Sequence, residues 1–90
     1  MVERIQIKVI GKVQGVFFRK FTQITANKLG VKGFVKNEPD GSVFIDAEGD
    51  KQSLINFLSW CAHGPEHAVV KEIVNENMTS LKYYAEFKIN

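Results

Sequence analysis

The sequence predicts a small α+β fold in which strands and helices follow one another in the order β-α-β-β-α-β, with one more strand at the end. Two kinds of periodicity indicate this order: apolar residues alternate in some segments and recur every three or four residues in others. The sequence Glu38-Pro39-Asp40-Gly41 is typical of a turn and predicts a hairpin between two of the alternating segments. At 90 residues we expect one domain, spanning residues 1–90.

The first strand is expected over residues 3–10, where Ile5, Ile7 and Val9 share one face and polar residues take the other. A loop bracketed by Gly11 and Gly15 follows. The first helix is expected at about 18–29, with Gly30 as its C-terminal cap. Its apolar residues recur at helical spacing: Phe18, Phe21, Ile24 or Thr25, and Leu29.

Two strands and a second helix are expected next. The strands, residues 31–37 and 42–48, flank the turn, and the second alternates apolar with polar residues. Asp50 can cap a helix over about 51–62, which Gly64-Pro65 ends. The apolar stripe of this helix is Leu54, Phe57, Leu58 and Cys61, with Ile55 and Trp60 beside it.

The last two strands have weaker patterns. Residues 68–74 are apolar without a clear period, which fits either a bulged strand or a central one. A final strand is expected near the end, where Tyr83, Ala85, Phe87 and Ile89 share a face. The complete order of elements is that of the ferredoxin-like fold.

Positive charge is concentrated in the first part of the chain. Residues 4–37 contain eight Lys or Arg and no Asp or Glu, although the net charge of the protein is only +2. Such a segment favours an anionic ligand, either a small phosphate or a nucleic-acid backbone. A solvated basic face without a ligand is the alternative.

The chain carries no signature of export or membrane insertion. Its first residues are not those of a signal peptide, and no apolar run approaches the roughly 18 residues of a membrane span. The single cysteine, Cys61, has no partner for an internal disulfide, which fits a reducing compartment. We therefore expect a cytoplasmic protein with no membrane partner, and we expect it to be a monomer.

The start of the first helix has unusual chemistry. Arg19 and Lys20 lie in its first turn, where the helix dipole already places positive charge. No acidic or hydroxyl residue between Gly11 and Phe21 can accept the free N–H groups of that turn. A bound anion would supply both the acceptor and the charge, with Gly15 shaping the loop and Arg19 gripping the anion. Alternatively, the glycines only shape a turn and Arg19 points into water.

Two segments carry a family resemblance. Gly11-Lys12-Val13-Gln14-Gly15-Val16-Phe17-Phe18-Arg19 resembles the acylphosphatase signature G-x-V-Q-G-V-x-F-R. Gly33-Phe34-Val35-Lys36-Asn37-Glu38-Pro39-Asp40-Gly41-Ser42-Val43 resembles the second signature, G-[FYW]-V-x-N-x-x-D-G-x-V. The resemblance covers about residues 4–89 and points to a small stand-alone acylphosphatase. It implies a ferredoxin-like βαββαβ sandwich, with an antiparallel sheet of about five strands and two helices on one face.

The resemblance also implies an activity and its residues. Acylphosphatases hydrolyse the carboxyl-phosphate anhydride of acyl phosphates to a carboxylate and inorganic phosphate, without a metal or another cofactor. Arg19 would grip the phosphoryl oxygens, and Asn37, close to Arg19 in space, would hold the attacking water. Inorganic phosphate would be both product and competitive inhibitor. The phosphate cradle would be formed by the main-chain N–H groups of Gln14, Gly15, Val16, Phe17, Phe18 and Arg19.

Two other functions remain open at this point. The element order is shared with RNA-recognition domains, and Lys32-Gly33-Phe34-Val35 is similar to the start of an RNP1 motif. Against this, the segment lies on the second strand, and the aromatic residues fall mostly in helices, where they cannot form a stacking platform. We therefore expect no nucleic-acid partner. An acylphosphatase-like domain that only binds a ligand is the other alternative.

Several further residues are expected to be structural. His63 and His67 flank a Gly-Pro break and do not have metal-ligand spacing, so no metal site is expected. Cys61 is expected to be a packed thiol. Asp46 and Glu48 are expected on a solvated strand face. Core positions are expected for five aromatic residues: Phe17, Phe18, Phe21, Phe57 and Trp60.

Overall fold

The computed structural model describes residues 1–90 and contains five strands and two helices. The predicted order of elements is confirmed. The five strands form one sheet in the order β4-β1-β3-β2-β5. In chain order the elements are Val2–Lys12 (β1), Phe18–Leu29 (α1), Lys32–Asn37 (β2), Val43–Asp50 (β3), Lys51–His63 (α2), Val69–Met78 (β4) and Phe87–Ile89 (β5).

The sheet is mixed rather than wholly antiparallel. β1 pairs antiparallel with β3 and β4, and β2 with β3, but β5 runs parallel to β2. Parallel neighbours need a long crossover connection, and here residues 79–86 carry the chain from β4 at one edge to β5 at the other. β5 begins only at Phe87, so it is shorter than the alternation from Tyr83 to Ile89 predicts.

β4 is an edge strand with an irregularity. Its register with β1 shifts between Ile10 and Gly11, which agrees with the bulge interpretation of this segment rather than with a central strand. The shift lies just before β1 ends and the chain enters the loop that leads to α1. The irregular end of β1 therefore adjoins the loop of the predicted phosphate site.

One face of the sheet packs against both helices, as expected. The alternating apolar residues of β1 and β3 meet the apolar sides of α1 and α2 in a single buried cluster. Burying each such side chain contributes about 1.5–3 kcal/mol. The largest buried side chains of this core include Ile7, Val9, Val35, Ile45, Phe18 and Phe57.

The buried side of α1 differs from the predicted stripe. Phe18, Thr22 and Ala26 are buried, whereas Phe21 is 45% exposed and Ile24 is at the surface. Thr22 can be buried because its hydroxyl donates to the main-chain oxygen of Phe18 at 2.7 Å. The helix is rotated accordingly, and the expectation that Phe21 belongs to the core is wrong.

The other face of the sheet holds a buried polar cluster, which corrects the expectation that Asp46 and Glu48 are solvated. Arg4 and Asp46 form an ion pair at 2.7 Å with both side chains almost fully buried. The Glu48 carboxylate accepts hydrogen bonds from the main-chain N–H groups of Lys82, Tyr83 and Tyr84. These bonds, with one from Arg4 to the main-chain oxygen of Ser80, fasten residues 79–86 across this face.

Aromatic side chains also lie on this outer face. The ring of Phe34 contacts the rings of Phe44 and Tyr84, with centroids 5.9 and 6.1 Å apart. Burial and a hydrogen bond to Asp46 raise the pKa of Tyr84 to about 12. The expectation that aromatic residues fall mostly in helices therefore misses this group, whose members pack on one another and are each only partly exposed.

Neither helix has the length and apolar character that crossing a bilayer requires.

Candidate active site

The loop between β1 and α1 has an unusual backbone. Gly15 has φ 72°, and Phe17, the N-cap of α1, has φ 59° and ψ 23°. A left-handed conformation costs a residue with a side chain about 1–2 kcal/mol. No main-chain N–H group of residues 14–20 donates a hydrogen bond within the protein. The loop thus presents a series of free donors at one end of a helix.

This helix end is as positively charged as the sequence predicts. Phe17 provides no side-chain cap, and no acidic residue lies in the first turn of α1. The partial positive charge of the helix N-terminus therefore adds to Arg19 and Lys20 instead of being offset. Free N–H donors, a helix N-terminus and an arginine are groups that together favour a phosphate-like anion.

Arg19 and Asn37 line one open cavity of about 320 Å³ beside this loop. The proximity expected from the resemblance is therefore present, although the two residues come from α1 and the end of β2. The charged lining residues are Arg19 and Lys20, both cationic. The other lining residues are Val13, Gly15, Phe17, Phe18 and Ile89.

Arg19 is half-buried, and its guanidinium donates to the main-chain oxygen of Asn90 at 3.0 Å. A guanidinium has five N–H donors, so this bond leaves others for a ligand. Because Asn90 follows β5 directly, the parallel strand brings Asn90 within reach of Arg19, and Ile89 lines the cavity. No local pattern in the sequence predicts this contact.

Asn37 is the last residue of β2 and is exposed. It lines the cavity, and its side-chain amide makes no hydrogen bond within the protein. The turn that follows is held by Asp40, whose carboxylate accepts from the main-chain N–H and the hydroxyl of Ser42. These bonds and the nearby Lys8 hold the pKa of Asp40 well below its ordinary value.

Gln14 has a role that the sequence did not reveal. Its side-chain amide donates to the main-chain oxygens of Glu38 and Ser42, both at 2.9 Å. These bonds join the loop to the β2–β3 turn immediately after Asn37. The resemblance assigned Gln14 only a main-chain N–H group. In the sequence, the only sign of a side-chain role was the presence of a glutamine inside a glycine-rich loop. Glu38 uses its main-chain oxygen here, and its carboxylate is not among the groups lining the cavity.

The cradle residues differ in burial. The Phe18 ring is buried and contacts Trp60, with centroids 5.6 Å apart. Val16 is partly buried, whereas the Phe17 ring is 77% exposed. The expectation that Phe17 belongs to the core is therefore wrong, while that for Phe18 is confirmed. The buried Phe18 ring packs the start of α1 against the core, and the exposed Phe17 ring lies at the edge of the cavity.

The remaining candidate residues lie away from this chemistry. Cys61 is fully buried, and burial raises the pKa of its thiol, as a packed cysteine should show. His63 faces the main-chain oxygen of Ser59, and His67 is exposed. No group of three or more His, Cys, Asp or Glu side chains is arranged to hold a metal ion.

Comparisons with known proteins show which family the chain resembles. The model of the acylphosphatase family matches residues 5–89. An acylphosphatase of Thermotoga petrophila is 49% identical over 87 residues, which cover 89% of this chain and 97% of the relative. Another from Actinobacillus succinogenes is 42% identical and covers 99% and 98% of the two chains. The crystal structure of acylphosphatase from Bacillus subtilis superposes with a TM-score of 0.95 at 38% identity, over 100% of this chain and 99% of that one.

Proposed function

The chain belongs to the acylphosphatase family and hydrolyses acyl phosphates, and we propose that it does so with Arg19, Asn37 and the main-chain N–H groups of residues 14–19. The amides and Arg19 hold the phosphoryl group. Asn37 positions the attacking water. The observation that carries this proposal is the unbonded row of N–H groups at a helix N-terminus, in a cavity that also contains both side chains.

The cradle acts by electrostatics. A phosphoryl group in transfer spreads negative charge over its outer oxygens, and fixed donors aimed at those oxygens lower the barrier. Peptide N–H groups at the start of α1 cannot reorient when the charge develops, so they pay no reorganisation cost during the reaction. Arg19 adds a planar fork that matches two phosphoryl oxygens.

Asn37 acts on the nucleophile. Its side-chain oxygen accepts a hydrogen bond from water and its nitrogen donates one, so the amide orients a water molecule without deprotonating it. Water then attacks phosphorus, the bond from phosphorus to the carboxylate oxygen breaks, and the carboxylate leaves with the bonding electron pair. One proton of the water goes to a phosphoryl oxygen or to solvent.

The substrate explains why these few residues suffice. A carboxylate is a good leaving group because its conjugate acid has a low pKa, so no general acid is needed. No cysteine or histidine lines the cavity to act as a nucleophile or base. Positioning and charge stabilisation are enough for an anhydride that is already activated.

The product should occupy the same cradle. Inorganic phosphate presents the same oxygens as the transferred group, so it competes with the acyl phosphate. A monomeric, cytoplasmic enzyme that needs no metal and binds no nucleic acid remains our prediction.

The test is hydrolysis of benzoyl phosphate by purified protein in the presence of a chelator. Turnover without metal, inhibited competitively by inorganic phosphate, supports the proposal. Phosphate binding without turnover indicates an inactive binding domain. Salt-sensitive RNA binding without turnover indicates a nucleic-acid module.

A further inference from the structure

A second cavity, of about 460 Å³, lies beside the phosphate cradle on the side of α2. Most of its lining comes from the rings of Phe17, Phe21 and Trp60, together with Val16 and Pro65. We call this cavity the apolar groove. Its rings come from the start of α1 and the end of α2, and Glu66 and His67 complete its rim.

The groove is continuous with the cradle through one residue. Phe17 lines both cavities, its backbone is left-handed, and its side chain is 77% exposed. Exposed aromatic residues side by side on a small protein indicate a binding surface. Here Phe17 is 77% exposed and Phe21, one turn further along α1, is 45% exposed.

We propose that the apolar groove binds the acyl group of the substrate and gives the enzyme a preference for acyl phosphates with an uncharged, apolar acyl chain or ring. This inference rests on the proposed function of the cradle. It assigns a role to the side chains of Phe17 and Phe21, which do not belong to the core and do not hold the phosphoryl group.

The direction of the reaction supports this assignment. In phosphoryl transfer the attacking and leaving oxygens lie roughly in line on opposite sides of phosphorus. Asn37 holds the water and lines the first cavity, but it is not part of the groove. The leaving carboxylate must therefore point away from Asn37, and the groove offers its acyl group an apolar surface beyond Phe17.

The rim of the groove determines which acyl groups are disfavoured. Glu66 is the charged residue at the groove, and its carboxylate repels an acyl chain that carries a second carboxylate. A methyl group is too small to contact several rings at once. Benzoyl phosphate should thus bind better than acetyl phosphate, by about tenfold in KM, which is the low end of what a hydrophobic contact gives.

The test compares these two substrates in the intact protein and in Phe21→Ser. The substitution should raise KM for benzoyl phosphate about tenfold and leave KM for acetyl phosphate and inhibition by inorganic phosphate unchanged. Phe21→Leu, which keeps an apolar side chain, should retain most of the preference. Ile55→Ser is the matched control, because Ile55 is an exposed apolar residue of α2 outside the groove.

Two results would overturn the proposal. Equal rises in KM for both substrates would show that Phe21 acts on the cradle. An unchanged preference in a Phe21→Ser protein with native thermal unfolding would show that the acyl group lies elsewhere. Failure of the unaltered protein to hydrolyse either substrate would instead contradict the proposed function beneath it.

Discussion

The side-chain amide of Gln14 donates to the main-chain oxygen of Glu38 at 2.9 Å and so joins the phosphate loop to the residue that follows Asn37. A second bond, to Ser42, reaches the other side of the same turn. One glutamine thus bonds the loop assigned to the substrate to the turn beside the residue assigned to the water. Gln14 is a positioning residue whose removal should affect the reaction more than the fold.

We expect Gln14→Glu to lower kcat about tenfold or more, because a carboxylate would face two main-chain oxygens that now accept hydrogen bonds. Lost and repulsive contacts of this kind cost about 1–3 kcal/mol. Steady-state kinetics with benzoyl phosphate measures the loss. Gln52→Glu is the control, since Gln52 bonds Asn56 on the exposed side of α2. Unchanged kcat in Gln14→Glu would mean that the loop and turn hold their separation without this bond.

Arg19→Ala should reduce kcat/KM by about 100-fold or more, as removal of a donor to a developing oxyanion does. It should also abolish the rise in thermal unfolding temperature that inorganic phosphate produces, since that rise depends on binding to the folded state. Lys28→Ala, at the other end of α1, should retain both properties. Full phosphate protection in Arg19→Ala would show that the amides alone hold the anion.

Asn37→Ala should lose about 100-fold in kcat while phosphate still protects the protein from thermal unfolding. The reason is that Asn37 is assigned to the water and not to the phosphoryl oxygens. Asn56→Ala, an asparagine on the surface of α2, serves as the control. An Asn37→Ala protein with normal turnover would remove Asn37 from the mechanism.

Acid should weaken the attachment of residues 79–86 to the sheet. Burial by itself raises the pKa of Glu48, but three main-chain donors and Arg4 outweigh it, so the net pKa is below the ordinary 4.5. A lowered folded-state pKa stabilises the protein above pH 4.5, and that stabilisation is lost as the pH falls through the lowered value. Glu48→Gln should cost about 2 kcal/mol at neutral pH.

Urea unfolding at several pH values tests this assignment. The difference in unfolding free energy between the unaltered protein and Glu48→Gln should shrink as the pH falls from 6 to about 3. Asp40 also has a lowered pKa, but it is present in both proteins and cancels in the difference. A difference that stays constant with pH would show that Glu48 keeps an ordinary pKa.

Cys61 should not react with a thiol reagent in the native protein. Its side chain is fully buried in the core, and a buried thiol is neither accessible nor readily ionised. Absorbance after addition of Ellman's reagent should show no reaction until urea unfolds the chain, when one thiol should react. Rapid labelling under native conditions would show that the α2 side of the core opens.

Local patterns in the sequence predicted the elements but not every buried face. The alternation in β1 and the turn after Asn37 were sufficient for the hairpin and the core positions of the strands. The spacing in α1 pointed to Phe21, whereas the structure buries Thr22. Hydrophobicity alone misses a threonine whose hydroxyl is satisfied by its own helix.

Local patterns could not predict the burial of polar residues on the outer face, for a different reason. Asp46 and Glu48 alternate with apolar residues, which predicts exposure, but their partners come from Arg4 and from residues 79–86. Such pairings depend on how distant segments cross, as does the parallel strand that places Ile89 at the cavity. That Arg19 and Asn37 line one cavity agrees with the resemblance, which could be found because each of its motifs is contiguous in the chain.

The cradle between β1 and α1 has a consequence for how the enzyme tolerates mutation. A binding site made of main-chain N–H groups is not lost when a side chain is substituted, because nearly every amino acid supplies the same N–H. Only proline removes a donor outright, and only at Gly15 and Phe17 does the chain follow a path that most residues resist. Variation at Val16 should therefore alter what surrounds the phosphate without erasing the capacity to hold it.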